Sequence, residues 1–274
     1  MRKTLVIITA SFWSLLIFGI SAYADPFSKC QEYVRYGAPS KQGDLLCHKA
    51  FAIAHNPDRK TPDWVAEHLT KKKVSAVKIP RTKFQADPEL AEGKRAETSD
   101  YLDSRYDQGH MAPAADMYWS KQAMKESHYL SNVVPQVGVG MNRHIWADLE
   151  LAVRQWTRKR GELFVFTGPI YKDAYKAIGK NKVAVPTHLY KVIFDPKRIE
   201  AIAFIMPNKK LNREDIPNYI VSIAEVEAET DLNFLSNLSA DVEKRVESER
   251  ADKVWEGCGD KLPKSLENLL CQGD

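Results

Sequence analysis

Residues 106–150 read YDQGHMAPAADMYWSKQAMKESHYLSNVVPQVGVGMNRHIWADLE and contain the motifs from which the fold follows. Near the start of this stretch, His110 stands between a glycine, which permits close approach of the backbone, and a loop that contains Pro113. Such a setting is typical of a side chain that is presented rather than packed. Because imidazole accepts a proton near neutral pH, His110 is a candidate general base.

The same stretch leads into the clearest helical pattern of the chain, NRHIWADLELAVRQWTR at residues 142–158. At about 100° per residue, its apolar residues fall in one stripe in the direction of Asn142. Asn142 is either a hydrogen-bonding residue at the start of the helix or, since an amide oxygen is a hard ligand, a candidate ligand for magnesium or calcium. Glu150 and Arg154 lie four residues apart, which predicts an ion pair on the flank of the stripe.

Segments outside this stretch predict an α+β domain with a mostly antiparallel sheet. Three of them are rich in β-branched and aromatic residues and are predicted strands, at 163–170, 187–195 and 199–207. Asp195-Pro196 predicts a turn that joins the last two into a hairpin. Residues 61–70, TPDWVAEHLT, are interpreted as a capped helix or turn, and residues 120–129 as a helix with Ser120 at its N-cap.

Four motifs stand in a specific order: DQGH at 107–110, SNVVPQ at 131–136, NRHIWADLE at 142–150 and FVFTGP at 164–169. Together they resemble the DNA/RNA non-specific endonuclease family, which includes secreted bacterial nucleases and mitochondrial endonuclease G. The resemblance implies a ββα-metal nuclease fold, α+β, with a mostly antiparallel central sheet flanked by helices. It also implies a metal-dependent endonuclease that hydrolyses phosphodiester bonds of DNA and RNA to 5′-phosphate and 3′-hydroxyl ends. Mg2+ is the implied cofactor, with Mn2+ as a substitute.

The resemblance also assigns roles to residues that match the family motifs. His110 matches the general base, Asn142 the one direct protein ligand to the metal, and Glu150 the carboxylate that orients water at the metal. Three further residues match arginines near the phosphate or a support behind the site: Arg81, Asn132 and Arg154.

Gln108 departs from the family pattern, which usually has arginine at this position. A cationic donor beside the base is thereby replaced by a neutral amide, and the loss of such a charge weakens transition-state stabilisation. Gln108 can still donate a hydrogen bond and stays a candidate catalytic residue, while Arg105 is a candidate replacement for the missing cation. Two alternatives to an active endonuclease follow: a catalytically weakened nucleic-acid-binding protein, and a phosphodiesterase with a narrower substrate.

The amino terminus begins with Arg2 and Lys3, continues with an apolar run and reaches Ala22-Tyr23-Ala24, a small-x-small cleavage pattern. It predicts a signal peptide at residues 1–24, followed by a single endonuclease domain at residues 25–274. The expected location is secreted or periplasmic, with no membrane attachment after cleavage. An uncleaved membrane anchor is the alternative.

The four cysteines cluster at the two ends of the chain, which suggests disulfides in an exported protein. Three pairings are open; Cys30–Cys47 and Cys258–Cys271 are favoured because each closes a short loop, and a zinc site is the alternative. The formal net charge of +4 neither supplies nor excludes a basic surface for nucleic acid. The oligomeric state leaves no mark in the sequence.

Overall fold

The computed structural model describes residues 26–172, 174–259 and 262–271, so the expected signal peptide lies outside the described residues. The strands are β1 (Asp44–Cys47), β2 (Phe51–Asn56), β3 (Thr61–Thr70), β4 (Asp107–His110), β5 (Val133–Gln136), β6 (Glu162–Ile170), β7 (Ala177–Ile178), β8 (Val183–Ala184), β9 (His188–Asp195), β10 (Glu200–Pro207) and β11 (Ile220–Val221). The helices are α1 (Lys71–Val74), α2 (Lys121–Ser127), α3 (Trp146–Arg160), α4 (Ile223–Thr230), α5 (Ala240–Ser248) and α6 (Lys264–Leu270). The predicted α+β class is confirmed.

Seven strands form the central sheet in the order β1-β2-β3-β6-β9-β10-β11, and every neighbouring pair is antiparallel. Alternate side chains of one strand enter different cores, as the pleat requires. Leu163 and Val165 of β6 pack into the core that contains α3, whereas Phe164 and Phe166 pack into the core on the opposite face with α4 and α5. The sheet therefore separates a face that carries α3 from a face that carries α4 and α5. The three predicted strands and the hairpin between β9 and β10 are confirmed.

The prediction of a helix or turn at residues 61–70 is wrong, because this segment is the long strand β3. It pairs with β2 on one side and β6 on the other, and it is buried on both faces. A strand covered on both faces lacks the polar and apolar alternation that identifies a strand from sequence. Pro62 lies at the start of β3 beside a register shift at Ala54 and His55, where a residue without an amide hydrogen is tolerated.

Local chemistry decides where two helices on the face that carries α3 begin. Ser120 caps α2 as predicted, with its hydroxyl accepting a hydrogen bond from the Ala123 amide at 3.2 Å. The helix predicted from residue 142 is regular only from Trp146, since a π-type turn at Gly138–Ile145 precedes it. Gly140 in this turn has φ 90°, and a Cβ there would lie 2.8 Å from the Lys210 Cα, so the turn requires glycine.

Both favoured disulfides are confirmed. Cys30 and Cys47 are joined with a Cα–Cα distance of 5.6 Å, and Cys258 and Cys271 with 4.6 Å. Within the described ranges no cysteine is left free, so none is a zinc ligand there. The same residues include no helix with the length and apolarity needed to cross a membrane.

Candidate active site

A small two-stranded antiparallel ribbon presents His110. It consists of β4 and β5, in which Gly109 lies opposite Val134 and His110 opposite Val133. A Cβ at Gly109 would lie 1.7 Å from the Gln136 Oε1, so only glycine lets the Gln136 side chain cross the strand at this point. The DQGH motif thus ends a tightly packed strand on the candidate base.

Asn132 fixes the chain that leaves His110. Its side chain is fully buried; Oδ1 accepts a hydrogen bond from the Ala112 amide at 2.9 Å, and Nδ2 donates to the carbonyls of Ala112 and Ser127, each at 2.9 Å. The Met111 amide donates to the Asn132 carbonyl at 2.9 Å. Asn132 therefore does not line the site but holds the chain that follows His110.

Aromatic rings enclose His110. The ring centroids of Phe84 and His128 lie 5.0 Å and 4.9 Å from that of His110, and the His110 Nε2 is buried without a hydrogen-bond partner among the described residues. Burial, reinforced by the nearby charges of His128 and Arg81, lowers the pKa of His110 to about 3. Its imidazole is therefore neutral at pH 7 and able to accept a proton.

Asp107 connects the two-stranded ribbon to the π turn. Its carboxylate accepts a hydrogen bond from the Asn142 Nδ2 at 3.0 Å and two from the Arg143 guanidinium, at 2.5 and 2.7 Å. The Arg143 hydrogen bonds are the main reason why the pKa of Asp107 lies below its ordinary value. Because the amide nitrogen of Asn142 is directed to Asp107, the amide oxygen is the atom that could ligate a metal.

Glu150 lies on the first turns of α3, in the wall of the same site. Burial raises the pKa of Glu150 to about 7, against the attraction of Lys191 and Arg154. The predicted ion pair between Glu150 and Arg154 is wrong, since the Arg154 Nη1 donates to the Asp116 Oδ1 at 2.9 Å. Asp116 is buried and comes from the loop after β4, a tertiary partner that helical spacing cannot reveal.

These side chains meet in one open cavity of about 820 Å³. Five of the predicted site residues line it: Arg81, Gln108, His110, Asn142 and Glu150. Arg154 and Asn132 do not line it; they hydrogen-bond to Asp116 and Ala112, which flank the lining residues Pro113 to Ala115 in the chain. Arg105 does not line it either, whereas Lys83 and Arg143 do. Lys83 and Arg143 are thus cations of the cavity that were not predicted, and Arg143 could have been found from its place next to Asn142.

A group of buried charges lies behind Glu150 and was not predicted. Lys191 of β9 is 1% exposed; its Nζ donates to the Thr167 Oγ1 at 2.6 Å and lies 5.0 Å from the ring centroid of Trp146. Glu67 of β3 is also buried, and burial followed by repulsion from Asp116 raises its pKa well above the ordinary value. A single lysine or glutamate within a strand gives no sequence signal of such a role.

The donors in the cavity suit a hard cation. The amide oxygen of Asn142 and the carboxylate of Glu150 are the ligand types that Mg2+ accepts, together with water. A second group that could hold a metal consists of His48, Asp87 and Glu89, whose ligand atoms lie within 4.8 Å of one another. There, the His48 Nε2 hydrogen-bonds with the Asp87 Oδ2 at 3.0 Å and both side chains are buried, whereas the exposed Glu89 carboxylate lies 3.7 Å from the His48 Nδ1; none of the three lines the cavity.

The fold and the site define a metal-dependent nuclease. The family described as DNA/RNA non-specific endonuclease matches residues 31–241, and the chain belongs to this family. It is an endonuclease, a hydrolase of phosphodiester bonds whose substrates are nucleic acids. The resemblance seen in the sequence motifs is thereby confirmed.

Named relatives agree with the family. The chain is 36% identical to Nuclease C1 of Cunninghamella echinulata var. echinulata, over 76% of this chain and 89% of the relative. It is 36% identical to the mitochondrial nuclease of Saccharomyces cerevisiae, over 75% and 70%, and 33% identical to the mitochondrial endonuclease G of Homo sapiens, over 76% and 75%. Several relatives are thus mitochondrial nucleases, which points to mitochondria, so the expectation of a secreted or periplasmic protein is wrong. That expectation rested on the amino-terminal segment alone, which lies outside the described residues.

A solved structure confirms the predicted ββα-metal nuclease fold. The crystal structure of EndoG in complex with EndoGI matches with a TM-score of 0.73 and 32% identity, over 77% of this chain and 93% of that chain. In that complex EndoG is inhibited, which is a property of that protein.

Proposed function

We propose that this chain cleaves both DNA and RNA with little sequence preference, uses Mg2+ as its metal, and accepts Mn2+ in its place. One observation carries the proposal: His110 from the β4–β5 ribbon and Asn142 and Glu150 from the π turn and α3 line the same open cavity. A neutral base and hard oxygen ligands around one cavity are what metal-assisted hydrolysis of a phosphodiester needs.

In this proposal His110 is the general base. Because its Nε2 is enclosed, Nδ1 is the nitrogen that can reach water in the cavity. His110 takes a proton from a water molecule as the water oxygen bonds to phosphorus and the bond from phosphorus to the 3′ oxygen breaks. The products carry a 5′-phosphate and a 3′-hydroxyl. Asn132 acts as a positioning residue, because its three side-chain hydrogen bonds hold the chain that follows the base.

Asn142 would hold the metal through its amide oxygen, with Glu150 orienting water beside it. When bound, the metal polarises the phosphate and stabilises the charge that develops on the departing oxygen. Arg81 and Arg143 line the cavity and can contact the phosphate, whereas Arg154 acts through Asp116. Groups that address phosphate rather than base edges give little sequence selectivity.

In this proposal the protein is an active nuclease despite Gln108, and not a catalytically weakened nucleic-acid-binding protein. It lines the cavity next to His110, where it can donate a hydrogen bond, and three cations line the same cavity: Arg81, Lys83 and Arg143. The comparison of the wild type with Gln108→Arg tests this compensation. We expect less than a fivefold change in kcat/KM; a gain of a hundredfold or more would show that Gln108 is an uncompensated handicap.

The proposal is tested by cleavage of plasmid DNA, single-stranded DNA and RNA with Mg2+ and with Mn2+. His110→Ala is expected to lose roughly 10²–10⁴-fold in kcat. His188→Ala, a histidine of β9 that does not line the cavity, is the matched control and should retain activity. Full activity in His110→Ala would overturn the base assignment, and absence of cleavage by the wild type with either metal would overturn the proposed function.

A further inference from the structure

Residues 254–259 and 262–271, called the carboxyl-terminal segment below, lie beyond the family match at residues 31–241 and pack on the face of the sheet that carries α3. The Trp156 Nε1 donates to the Trp255 carbonyl at 2.6 Å, and the Arg160 guanidinium lies 3.8 Å from the centroid of the Trp255 ring. The Cys258–Cys271 disulfide then closes the segment on itself. This segment is therefore a fixed wall beside α3 rather than a loose tail.

A basic groove of about 780 Å³ lies between this wall and α3. Its lining includes three cations, Lys71, Arg158 and Lys159, together with Cys258 and Gly259 of the carboxyl-terminal wall. None of the described residues that line this groove is an aspartate or a glutamate. The groove therefore combines three positive charges with a wall that the carboxyl-terminal segment forms.

The cations of the groove differ in how they are held. The Arg158 Nη2 donates to the Val74 carbonyl at 2.7 Å and its Nη1 to the Gln155 Oε1 at 3.1 Å, which fixes the guanidinium. Burial and repulsion from the neighbouring Arg154 lower the pKa of Arg158. Lys159 is exposed and pairs with Glu256 at 2.8 Å on the rim, and Lys71 is exposed. An anion in the groove would relieve the repulsion between these positive charges.

The groove follows the same helix as the candidate active site. Arg158 lies eight residues after Glu150 on α3, which is about 12 Å along the helix axis at about 1.5 Å per residue. Duplex DNA carries about one charge per 1.7 Å of axis, so a duplex at His110 has phosphates within reach of the groove. Arg154, which pairs with Asp116, lies between Glu150 and Arg158 along α3.

We propose that this groove is a second contact site for the sugar-phosphate backbone of the nucleic-acid substrate, which it holds outside the catalytic cavity. The inference rests on the proposed function and extends it: long substrates gain affinity from the groove, and substrates of a few nucleotides do not. The contact is electrostatic, so it adds affinity without base selectivity and weakens with salt.

The first experiment measures binding of a 30-base-pair duplex as a function of salt, without added divalent metal and in a His110→Ala background, so that cleavage is suppressed. The double variant Lys71→Gln/Lys159→Gln removes two exposed lysines of the groove. Lys41→Gln/Lys244→Gln is the matched control, because both lysines are exposed and belong to chain segments that pack on the other face of the sheet. We expect the slope of log Kd against log salt to fall by about 1 per groove lysine and to stay unchanged in the control. Equal slopes in the two double variants would overturn the proposal.

A gain-of-binding variant and a short substrate complete the test. Glu256→Gln removes the carboxylate that pairs with Lys159, and we expect tighter binding of the duplex and a steeper salt dependence; unchanged binding would count against the groove. With His110 intact, the groove variant should raise KM for the duplex at least threefold and leave cleavage of a tetranucleotide unchanged. Equal losses on both substrates would overturn the inference, and a wild type that cleaves neither would overturn the proposed function instead.

Discussion

Replacement of Lys191 by methionine tests the buried charges behind Glu150. Lys191 is almost fully buried, and its positive charge attracts three carboxylates, those of Glu150, Glu67 and Asp116. Methionine fills a similar volume without the charge. In the variant these three carboxylates lose the positive charge of Lys191. Arg154, which contacts Asp116, is a cation that remains beside them.

Lys191 forms no direct ion pair but compensates the three carboxylates through space, so the expected loss of stability is about 3 kcal/mol, the lower end of the range for removing one charge of a buried ion pair. The hydrogen bond to Thr167 contributes about 1 kcal/mol of this and the cation–π contact with Trp146 up to about 2 kcal/mol. The rest of the loss comes from carboxylates that no longer have a compensating positive charge. The cost of desolvating Lys191 is absent in the variant, and this offsets part of the loss. Activity changes as well. Since Lys191 lowers the pKa of Glu150, its removal raises that pKa above about 7. Cleavage should therefore be weaker at pH 7 and should increase as the pH is raised.

Urea denaturation at pH 7 and the pH dependence of kcat/KM measure the two effects. Glu67→Gln is the matched control. Because burial, followed by repulsion from Asp116, raises the pKa of Glu67 well above its ordinary value and so disfavours its charge, the isosteric neutral amide should cost less than about 1 kcal/mol. The role assigned to Lys191 is refuted if Lys191→Met unfolds within 1 kcal/mol of the wild type, or if Glu67→Gln is as damaging as Lys191→Met.

Three further predictions concern other parts of the structure. Asn132→Ala removes three buried side-chain hydrogen bonds, including both to Ala112, and should lower the free energy of unfolding by about 3 kcal/mol in a denaturant titration; a loss below 1 kcal/mol would contradict the support assigned to it. Gly109→Ala places a methyl group 1.7 Å from the Gln136 Oε1, so we expect a loss of about 1–3 kcal/mol and reduced cleavage, and wild-type thermal stability would show that Gln136 moves without cost. Burial, with repulsion from two neighbouring glutamates, raises the pKa of Glu247 to about 8, so the folded state keeps a proton that the unfolded chain loses above pH 4.5, and this site destabilises the fold progressively from about pH 4.5 to pH 8. Glu247→Gln should therefore raise stability by about 1 kcal/mol at pH 8, after discounting for partial exposure, and by almost nothing at pH 4; an equal effect at both values would contradict the shift.

Much of the site could be predicted because its signals are local or ordered along the chain. The Gly109-His110 step, the Ser120 cap and the turn at Asp195 each carry their own chemistry within a few residues. The pairing of the four cysteines followed from short loops at the two ends of the chain. Such features need no knowledge of distant neighbours.

What could not be predicted depends on partners from elsewhere in the chain. Residues 61–70 have the beginning of a capped helix, yet pairing on both edges makes them a strand. Arg154 lies one turn from Glu150 but binds Asp116, which the loop after β4 supplies. Lys191 becomes significant only because β9 places it under α3. In each case tertiary packing overrides a local preference.

Proton transfer and metal binding are assigned to different residues that line one cavity, and this division of roles is the central claim. Calorimetric titration of Mn2+ into the wild type, His110→Ala and Asn142→Ala tests it most directly. We expect that His110→Ala binds the metal with wild-type affinity although it no longer cleaves, and that Asn142→Ala loses at least about tenfold in affinity. Wild-type metal affinity in Asn142→Ala, or loss of metal binding in His110→Ala, would contradict it.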